Sequence, residues 1–286
     1  FGVETEFVNP NNLDEIKKAI KPNTKLLFGE IIGNPGLDVM DVPSVAKICK
    51  ENNIPLVIDA TFNTPYLMRP FEFGANIVIH SLTKWLGGHG VAIGGVLING
   101  GNFDWGDKKK FPTISGPHFA LNGISFWEEF GPSSITAKIR AEGMYNFGPS
   151  LSPMNAFYVL QGIETLSLRM KKHMENTSYM LEFLTNHEAV SWVKHPDLKS
   201  HPDHKIAKKI LPKGSGSIIV FGVKGGREAG KAFIESVQLS SHLANVGDAK
   251  TLLIHPGSTT HSHLSSKAMK SAGLTDDMIR LSVGLE

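Results

Sequence analysis

Two strand ends carry the residues whose types and spacing could do chemistry. Asp59 closes the apolar run Leu56-Val-Ile-Asp, and Lys84 follows Ile77-Val-Ile in the segment His80-Ser-Leu-Thr-Lys-Trp-Leu-Gly-Gly-His. A carboxylate at the end of a buried strand is costly unless it meets a cation or strong donors. A protonated pyridine nitrogen is one such cation; capping the next turn with Thr61 or Asn63 is the other use open to Asp59. Lys84 stands beside Trp85 and Leu86, where desolvation lowers the pKa of an amine and leaves it free to condense with a carbonyl. Ser81 and Thr83 lie two apart, so in an extended turn both hydroxyls can face one side and donate to phosphate oxygens. Gly87 and Gly88 leave room for backbone to approach a flat ring. The Gly87-Gly-His-Gly cluster does not read as a P-loop, because its lysine precedes the glycines and no clean helix follows.

The elements that must position these residues alternate up to about residue 100. Helical spacing runs over Leu13 to Ile20, with Asn11 or Asn12 as cap, and again over Val42 to Asn52. Apolar strands are expected at Phe1 to Val8, Lys25 to Ile32, Pro55 to Ala60, Ala75 to His80 and Val91 to Ile98. Short apolar strands between helices predict a mostly parallel sheet covered on both faces. Ligands of such sheets bind outside the carboxyl ends of the strands, where Asp59 and Lys84 fall. Residues 101 to 150 break the rhythm, being rich in Gly, Pro, Phe and Trp, with one helical stretch at Ser134 to Glu142; so long an irregular segment is usually functional or caps another subunit. From Pro153 one long helix is expected to about Glu182. Strands then follow at Ala189 to Val193, Ser217 to Val223, Leu239 to Leu243 and from Ile279. Helices are expected near His204 to Ile210, Arg227 to Ser236 and Leu264 to Ser271. The fold class is therefore α/β, with a larger unit over residues 1–152 and a long connecting helix plus a smaller α/β unit over 153–286.

Bulk properties exclude several classes of function. The chain has 286 residues, 41% hydrophobic and 20% charged, with a formal charge of +2, which points to no electrostatic partner. The one basic run, Lys108 to Lys110, reads as solvated lysines, so nucleic acid is not indicated. No apolar run approaches the ~20 residues that span a bilayer. The single cysteine, Cys49, fits a reducing cytoplasm and a buried thiol on the face of Val45 and Ile48. His255 and His261 lie around Pro-Gly with no third ligand at usual spacing, and read as structural rather than metal-binding. The chain opens on Phe1 and closes on Leu281-Ser-Val-Gly-Leu-Glu; both ends look strand-like, so it reads as a segment truncated at both ends.

Four stretches carry a resemblance: Asp59-Ala-Thr-Phe-Asn-Thr-Pro-Tyr; His80-Ser-Leu-Thr-Lys-Trp-Leu-Gly-Gly-His-Gly; Leu151-Ser-Pro-Met-Asn-Ala-Phe with Leu160-Gln-Gly-Ile-Glu-Thr-Leu-Ser-Leu-Arg-Met; and Leu243-Ala-Asn-Val-Gly-Asp-Ala-Lys-Thr-Leu with His255-Pro-Gly-Ser-Thr-Thr-His-Ser. Essentially the whole chain resembles the fold-type I pyridoxal-phosphate enzymes of the Cys/Met metabolism family. The insertion at 101 to 150 and Asn245-Val-Gly favour its O-acetylhomoserine sulfhydrylase branch over the cystathionine enzymes and methionine γ-lyase.

The resemblance implies pyridoxal 5'-phosphate attached to Lys84, its ring nitrogen on Asp59, and its phosphate near Ser81 and Thr83. It implies Thr61 near the ring, Asn34 near the cofactor's 3-oxygen, Arg280 on the substrate α-carboxylate, and Asn245 helping to orient that carboxylate. A planar guanidinium suits such a bidentate contact. The implied reaction is γ-replacement on O-acetyl-L-homoserine by sulfide, methanethiol or sulfur from a carrier protein, giving homocysteine or methionine and acetate. Cystathionine γ-synthase or methionine γ-lyase chemistry is the alternative within the family, and an incomplete or structural subunit is the non-enzymatic one. The family also implies a cytoplasmic homotetramer of dimers with shared sites. Its ring-stacking tyrosine, its glycine-led phosphate loop and the tyrosine and arginine lent by a neighbouring subunit would lie upstream of Phe1, and its last helix beyond Glu286.

Overall fold

A computed structural model describes residues 2–260 and 273–286; the expected helix at Leu264 to Ser271 and His261 lie outside the described residues. Among the described residues the strands form two sheets, one of four strands and one of five.

In the first sheet, β1 (Leu27–Glu30), β2 (Leu56–Asp59) and β3 (Ile77–Ser81) run parallel, and β4 (Gly95–Asn99) returns antiparallel to β3. The parallel part matches the expected sheet; the last strand does not. It follows β3 through a short excursion and pairs straight back, Ser81 opposite Gly95, a reversal that only an antiparallel neighbour permits. Leu56, Val57 and Ile58 are all buried, because β2 is covered on both faces; each such aliphatic side chain contributes about 2 kcal/mol. The helix Val42–Glu51 provides one cover. Asp41 caps it by accepting the Ser44 N–H at 3.3 Å, Pro43 occupies its first turn, and Val42, Val45, Ile48 and Cys49 form its buried face. Burial pushes the Cys49 thiol up to about 12.

The second sheet is built on β6 (Ile218–Val223) and β9 (Met278–Ser282), with β5 (Val190–Lys194) outside β6 and β8 (Leu252–Ile254) and β7 (Ser241–His242) outside β9. Alternation along β9 decides what it offers each side. Ile279 and Leu281 join Ile219, Phe221, Leu181 and Leu184 in one apolar cluster. Met278 instead packs with Ile218 and Val220 in the larger core that holds β2 and Trp85, and Arg280 points the same way.

Three local expectations are corrected. Residues 2–9 form no strand; Phe7 is almost wholly exposed, and no sheet edge pairs with this segment. The long helix is two, Pro153–Glu164 and Leu166–Asn186, parted at Thr165, whose hydroxyl donates to the Gly162 carbonyl at 3.2 Å. Residues 101 to 150 are not irregular throughout: short helical pieces at Pro112–Ser115, Phe126–Phe130 and Ser134–Lys138 pack Trp105, Phe111, Ile114 and Phe126 against Val57 and Ile77 of the first sheet.

Candidate active site

The in-register parallel strands bring Glu30, Asp59 and Ser81 to one edge, with Glu30 beside Asp59 and Asp59 beside Ile79. Asp59 is half-buried. Its Oδ1 accepts the Thr61 N–H at 2.8 Å, and the Thr61 hydroxyl accepts the Ser81 N–H at 2.8 Å. Both uses foreseen for Asp59 are thus compatible: one oxygen caps the turn, while Oδ2 makes no hydrogen bond among the described residues and stays available to a cation. His80, buried behind it, has an unpartnered Nδ1; burial pulls its pKa down, against the charge of Asp59.

After β3 the chain enters a π-helical turn, Leu82–Leu86, in which Lys84 adopts φ −92°, ψ −138°. The break follows from what flanks it. Trp85 is fully buried, donates Nε1 to the Ser217 hydroxyl at 2.9 Å and meets Phe62 edge-on at 5.1 Å. Gly247 makes this fit possible: at φ +75° it lies so close that a Cβ there would stand 2.6 Å from the indole ring. With Trp85 locked inward, the Lys84 Nζ donates to Asn245 Oδ1. Burial lowers the Lys84 pKa, and the nearby charge of Arg280 lowers it further. The amine therefore loses its proton more readily than a surface lysine does.

Arg280 arrives from the other sheet. Its Nη1 donates to Asn34 Oδ1 at 3.1 Å, and Nη2 reaches the Asn245 carbonyl at 3.5 Å. No carboxylate pairs with it among the described residues. Asn34 is held in turn, its N–H donating to Glu30 Oε2 at 3.2 Å. Lys84, Asn245, Arg280 and Asn34 therefore stand in one hydrogen-bonded group assembled from four separate stretches of chain. The two hydroxyls expected near a phosphate differ. Ser81 makes no side-chain hydrogen bond among the described residues, whereas the Thr83 hydroxyl is engaged with Gly94, 3.3 Å from its carbonyl and 3.1 Å from its N–H.

Glu30 is a site residue that sequence reasoning passed over. Burial raises the pKa of its carboxyl, and the charge of Asp59 adds to this against the Asn34 N–H. The signal was its position at the end of Leu27-Phe-Gly-Glu, one strand-length before Gly33-Asn-Pro. Arg169 was passed over as well, although it sits between Leu166 and Met170 on the buried face of its helix.

Possible metal ligands gather elsewhere, at Asp38, His201 and Asp203. The Lys194 ammonium already binds Asp38 at 3.0 Å, and His201 Nδ1 accepts the Asp203 N–H, which puts the ring's proton on Nε2. His255 is fully buried with both ring nitrogens engaged, Nδ1 with Ser258 and Nε2 with the Asp276 carbonyl, each at 2.8 Å.

A desolvated amine, a strand-end carboxylate oxygen without a partner, a free hydroxyl and a guanidinium without a counterion fit a phosphorylated pyridine aldehyde and an amino-acid carboxylate. Comparisons with known proteins agree. The sequence profile described as Cys/Met metabolism PLP-dependent enzyme matches residues 1–286. The chain is 44% identical to the O-acetyl-L-homoserine sulfhydrylase of Leptospira meyeri, over all of this chain and 66% of that protein. It is 43% identical to the homocysteine synthase of Schizosaccharomyces pombe, over all of this chain and 67% of that protein. The chain thus spans about two thirds of the length of these relatives. A crystal structure of an O-acetylhomoserine (thiol)-lyase from Campylobacter jejuni, which contains a pyridoxyl-lysine phosphate, superposes on 97% of this chain and 66% of its own with a TM-score of 0.92 and 34% identity. A cystathionine γ-lyase from Lactobacillus plantarum superposes with a TM-score of 0.79 and 29% identity. The chain belongs to the Cys/Met metabolism PLP-dependent enzyme family, and pyridoxal phosphate is the cofactor that its strand-end residues are suited to hold.

Proposed function

We propose that the protein to which this chain belongs carries out a γ-replacement: O-acetyl-L-homoserine and sulfide yield L-homocysteine and acetate, with methanethiol or a sulfur-carrier protein as other possible donors. The observation that carries this reading is the convergence of the Lys84 amine, Asn245, Asn34 and the unpaired Arg280, with Asn34 bonded to Glu30, the strand neighbour of Asp59. The sulfhydrylase names of the relatives support the choice of substrate.

Bound there, pyridoxal phosphate supplies an electron sink for charge developing on the substrate's α-carbon. Everything else belongs to the chain. Asp59 Oδ2 holds the proton on the ring nitrogen. Arg280 grips the α-carboxylate with a planar fork, and Asn34 fixes the angle of that fork. Lys84 Nζ, whose proton affinity is reduced by burial and by Arg280, removes the α-proton and later returns one, which demands a pKa drawn toward neutrality. A second proton leaves Cβ, and its electron pair expels acetate as the Cγ–O bond breaks; the sulfur nucleophile then forms the new Cγ–S bond, and protons return to Cβ and Cα. Ser81 and Thr83 are the hydroxyls nearest the turn for the phosphate; Thr83 would exchange its contact with the Gly94 carbonyl for that role. Thr61 supports Asp59 and the ring edge.

We further read residues 1–152 and 153–286 as a larger cofactor-binding unit and a smaller α/β unit, since no strand of one sheet enters the other. We also read the protein as a cytoplasmic homotetramer of site-sharing dimers. The outward apolar residues Met154, Phe157, Leu160 and Leu168 along the two long helices support association. The deciding experiment uses the full-length protein: cofactor uptake, borohydride fixation and product identification, with Lys84→Ala alongside. The wild type should retain a borohydride-fixed cofactor on Lys84 and convert sulfide to homocysteine; the variant should fix none and lose at least ~10³-fold in turnover. A protein that takes up no cofactor would overturn the reading. Release of α-keto acid and ammonia would reassign it to the lyases, and cystathionine formation to the γ-synthases.

A further inference from the structure

The turn that presents Lys84 is held from behind by a second buried cation. Arg169 is 6% exposed and has no carboxylate partner among the described residues. Its Nη1 donates to the Trp85 carbonyl at 2.7 Å, and Nη2 to the Leu86 carbonyl at 3.2 Å and the Gly162 carbonyl at 2.6 Å; Nε donates to the Thr165 hydroxyl at 3.2 Å. Burying a guanidinium without a counterion costs several kcal/mol unless its donors are filled, and here oxygens fill four of the five. An apolar side chain would occupy the same helix position at no such cost. The charge is retained where it does something packing cannot.

What it does is visible in the carbonyls of the turn. Those of Leu82 and Lys84 accept the N–H groups of Gly87 and Gly88, at 2.9 and 2.7 Å, and that of Gly88 accepts the Ala249 N–H at 2.8 Å. The carbonyls of Trp85 and Leu86, the two residues that follow Lys84, meet no backbone donor and are taken by Arg169. The helix Pro153–Glu164 can bring Arg169's neighbourhood this close because Gly162 lies against Gly87, where a Cβ would fall 2.2 Å from the Gly87 oxygen. A lysine reaches as a point charge and cannot span both carbonyls as the planar fork does.

We propose that Arg169 is a positioning residue for catalysis: it fixes the backbone of the turn after Lys84, so that the lysine's amine swings over one short arc between Asn245 and the reacting centre. The proposal rests on the reading of Lys84 given above. It does not require Arg169 to touch cofactor or substrate, which would meet the opposite side of the turn. A misplacement of about 1 Å at a reacting group costs roughly 10²-fold in rate, so loosening the turn should be felt in kcat first.

The test compares Arg169→Lys with the wild-type full-length holoenzyme, and Thr165→Val as a milder variant that removes the Nε contact and the Thr165 hydroxyl's bond to the Gly162 carbonyl. Two readouts are taken: kcat against KM, and, on cofactor-stripped protein, the pH dependence of reductive methylation at Lys84 followed by mass spectrometry. Arg169→Lys should lose about tenfold or more in kcat with KM within twofold, and the methylation midpoint should move up as a loosened Lys84 becomes better solvated. Thr165→Val should shift both in the same direction and less. If Arg169→Lys does not fold, Thr165→Val decides alone. A folded variant with unchanged kcat and an unchanged methylation midpoint overturns the proposal, as does a loss of activity that tracks thermal stability only. Failure of the underlying reading shows separately, as a wild-type protein that never fixes cofactor on Lys84.

Discussion

The surroundings of Arg169 and of Arg280 place the same chemical group under similar constraint and put it to opposite use. Both guanidiniums lack a carboxylate partner among the described residues, and burial lowers the pKa of each. Around Arg169, three carbonyls and a hydroxyl take four of the five N–H donors, at 2.6 to 3.2 Å, and leave no fork open to a ligand. Around Arg280 there are two contacts, at 3.1 and 3.5 Å, to a side-chain amide and one carbonyl. A desolvated cation with open donors suits an incoming carboxylate, the role proposed for Arg280. Burial of a charge therefore does not mark a binding residue by itself; the state of its donors does.

The comparison breaks most readily at Arg280. Arg280→Lys keeps the charge and loses the fork, and should lower kcat/KM for the amino-acid substrate by about 100-fold, in the range for truncating one partner of a desolvated charge pair. Its thermal midpoint should stay near that of the wild type, because the fold draws little from the native contacts. A large fall in melting temperature with little change in kcat/KM would make Arg280 structural and erase the distinction. Asn34→Ala probes the same region more gently. Removing the amide that orients the fork should cost about tenfold in kcat/KM, equal to a hydrogen bond to a charged group, and should act mainly through KM. Equal effects with substrates that lack the α-carboxylate would show that Asn34 serves some other group.

The Arg169 side can be sharpened by pH. His173, one turn along the same helix, is fully buried and gives Nδ1 to the Val283 carbonyl at 2.7 Å. Burial takes its pKa down to about 4, opposed by that hydrogen bond, with Arg169 adding to the fall. The folded protein therefore holds His173 neutral, while the unfolded chain binds its proton near pH 6.5. Between those values the unfolded state carries more protons, so this contribution to stability is present above pH 6.5 and lost as pH falls toward 4. Acidification from pH 7 to pH 5 should lower the thermal midpoint by roughly 5 °C from this group. His173→Gln should flatten that dependence; an unchanged slope would show that His173 is not held neutral by the region around Arg169.

Much of this molecule was legible residue by residue. Asp59 and Lys84 declared themselves because a charged residue closing an apolar strand is expensive and needs a reason. The helix expected over Val42 to Asn52 was plain from the spacing of Val45, Ile48 and Cys49. Other features were hidden for identifiable reasons. The direction of β4 depends on a chain reversal that leaves no mark on apolar spacing. The strand Leu252–Ile254 is too short to show a period. Thr165 parts two helices through contacts with Gly162 and Arg169, which a continuous helical pattern conceals. Glu30 looked like an ordinary strand-end acid until register placed it beside Asp59.

Taken alone, the amino-acid sequence settled the family, the α/β class and which residue types stand at the two strand ends, because these rest on local order: apolar run, then charge, then glycine. The tertiary structure decided the rest. Only packing could bring Asn34, Lys84, Asn245 and Arg280, spread over nearly the whole chain, into one hydrogen-bonded group. Only packing could show that Arg169 has four of its five donors engaged while Arg280 has two. Hydrogen-bond satisfaction is a property of three-dimensional neighbours, and two arginines read identically until those neighbours are in place.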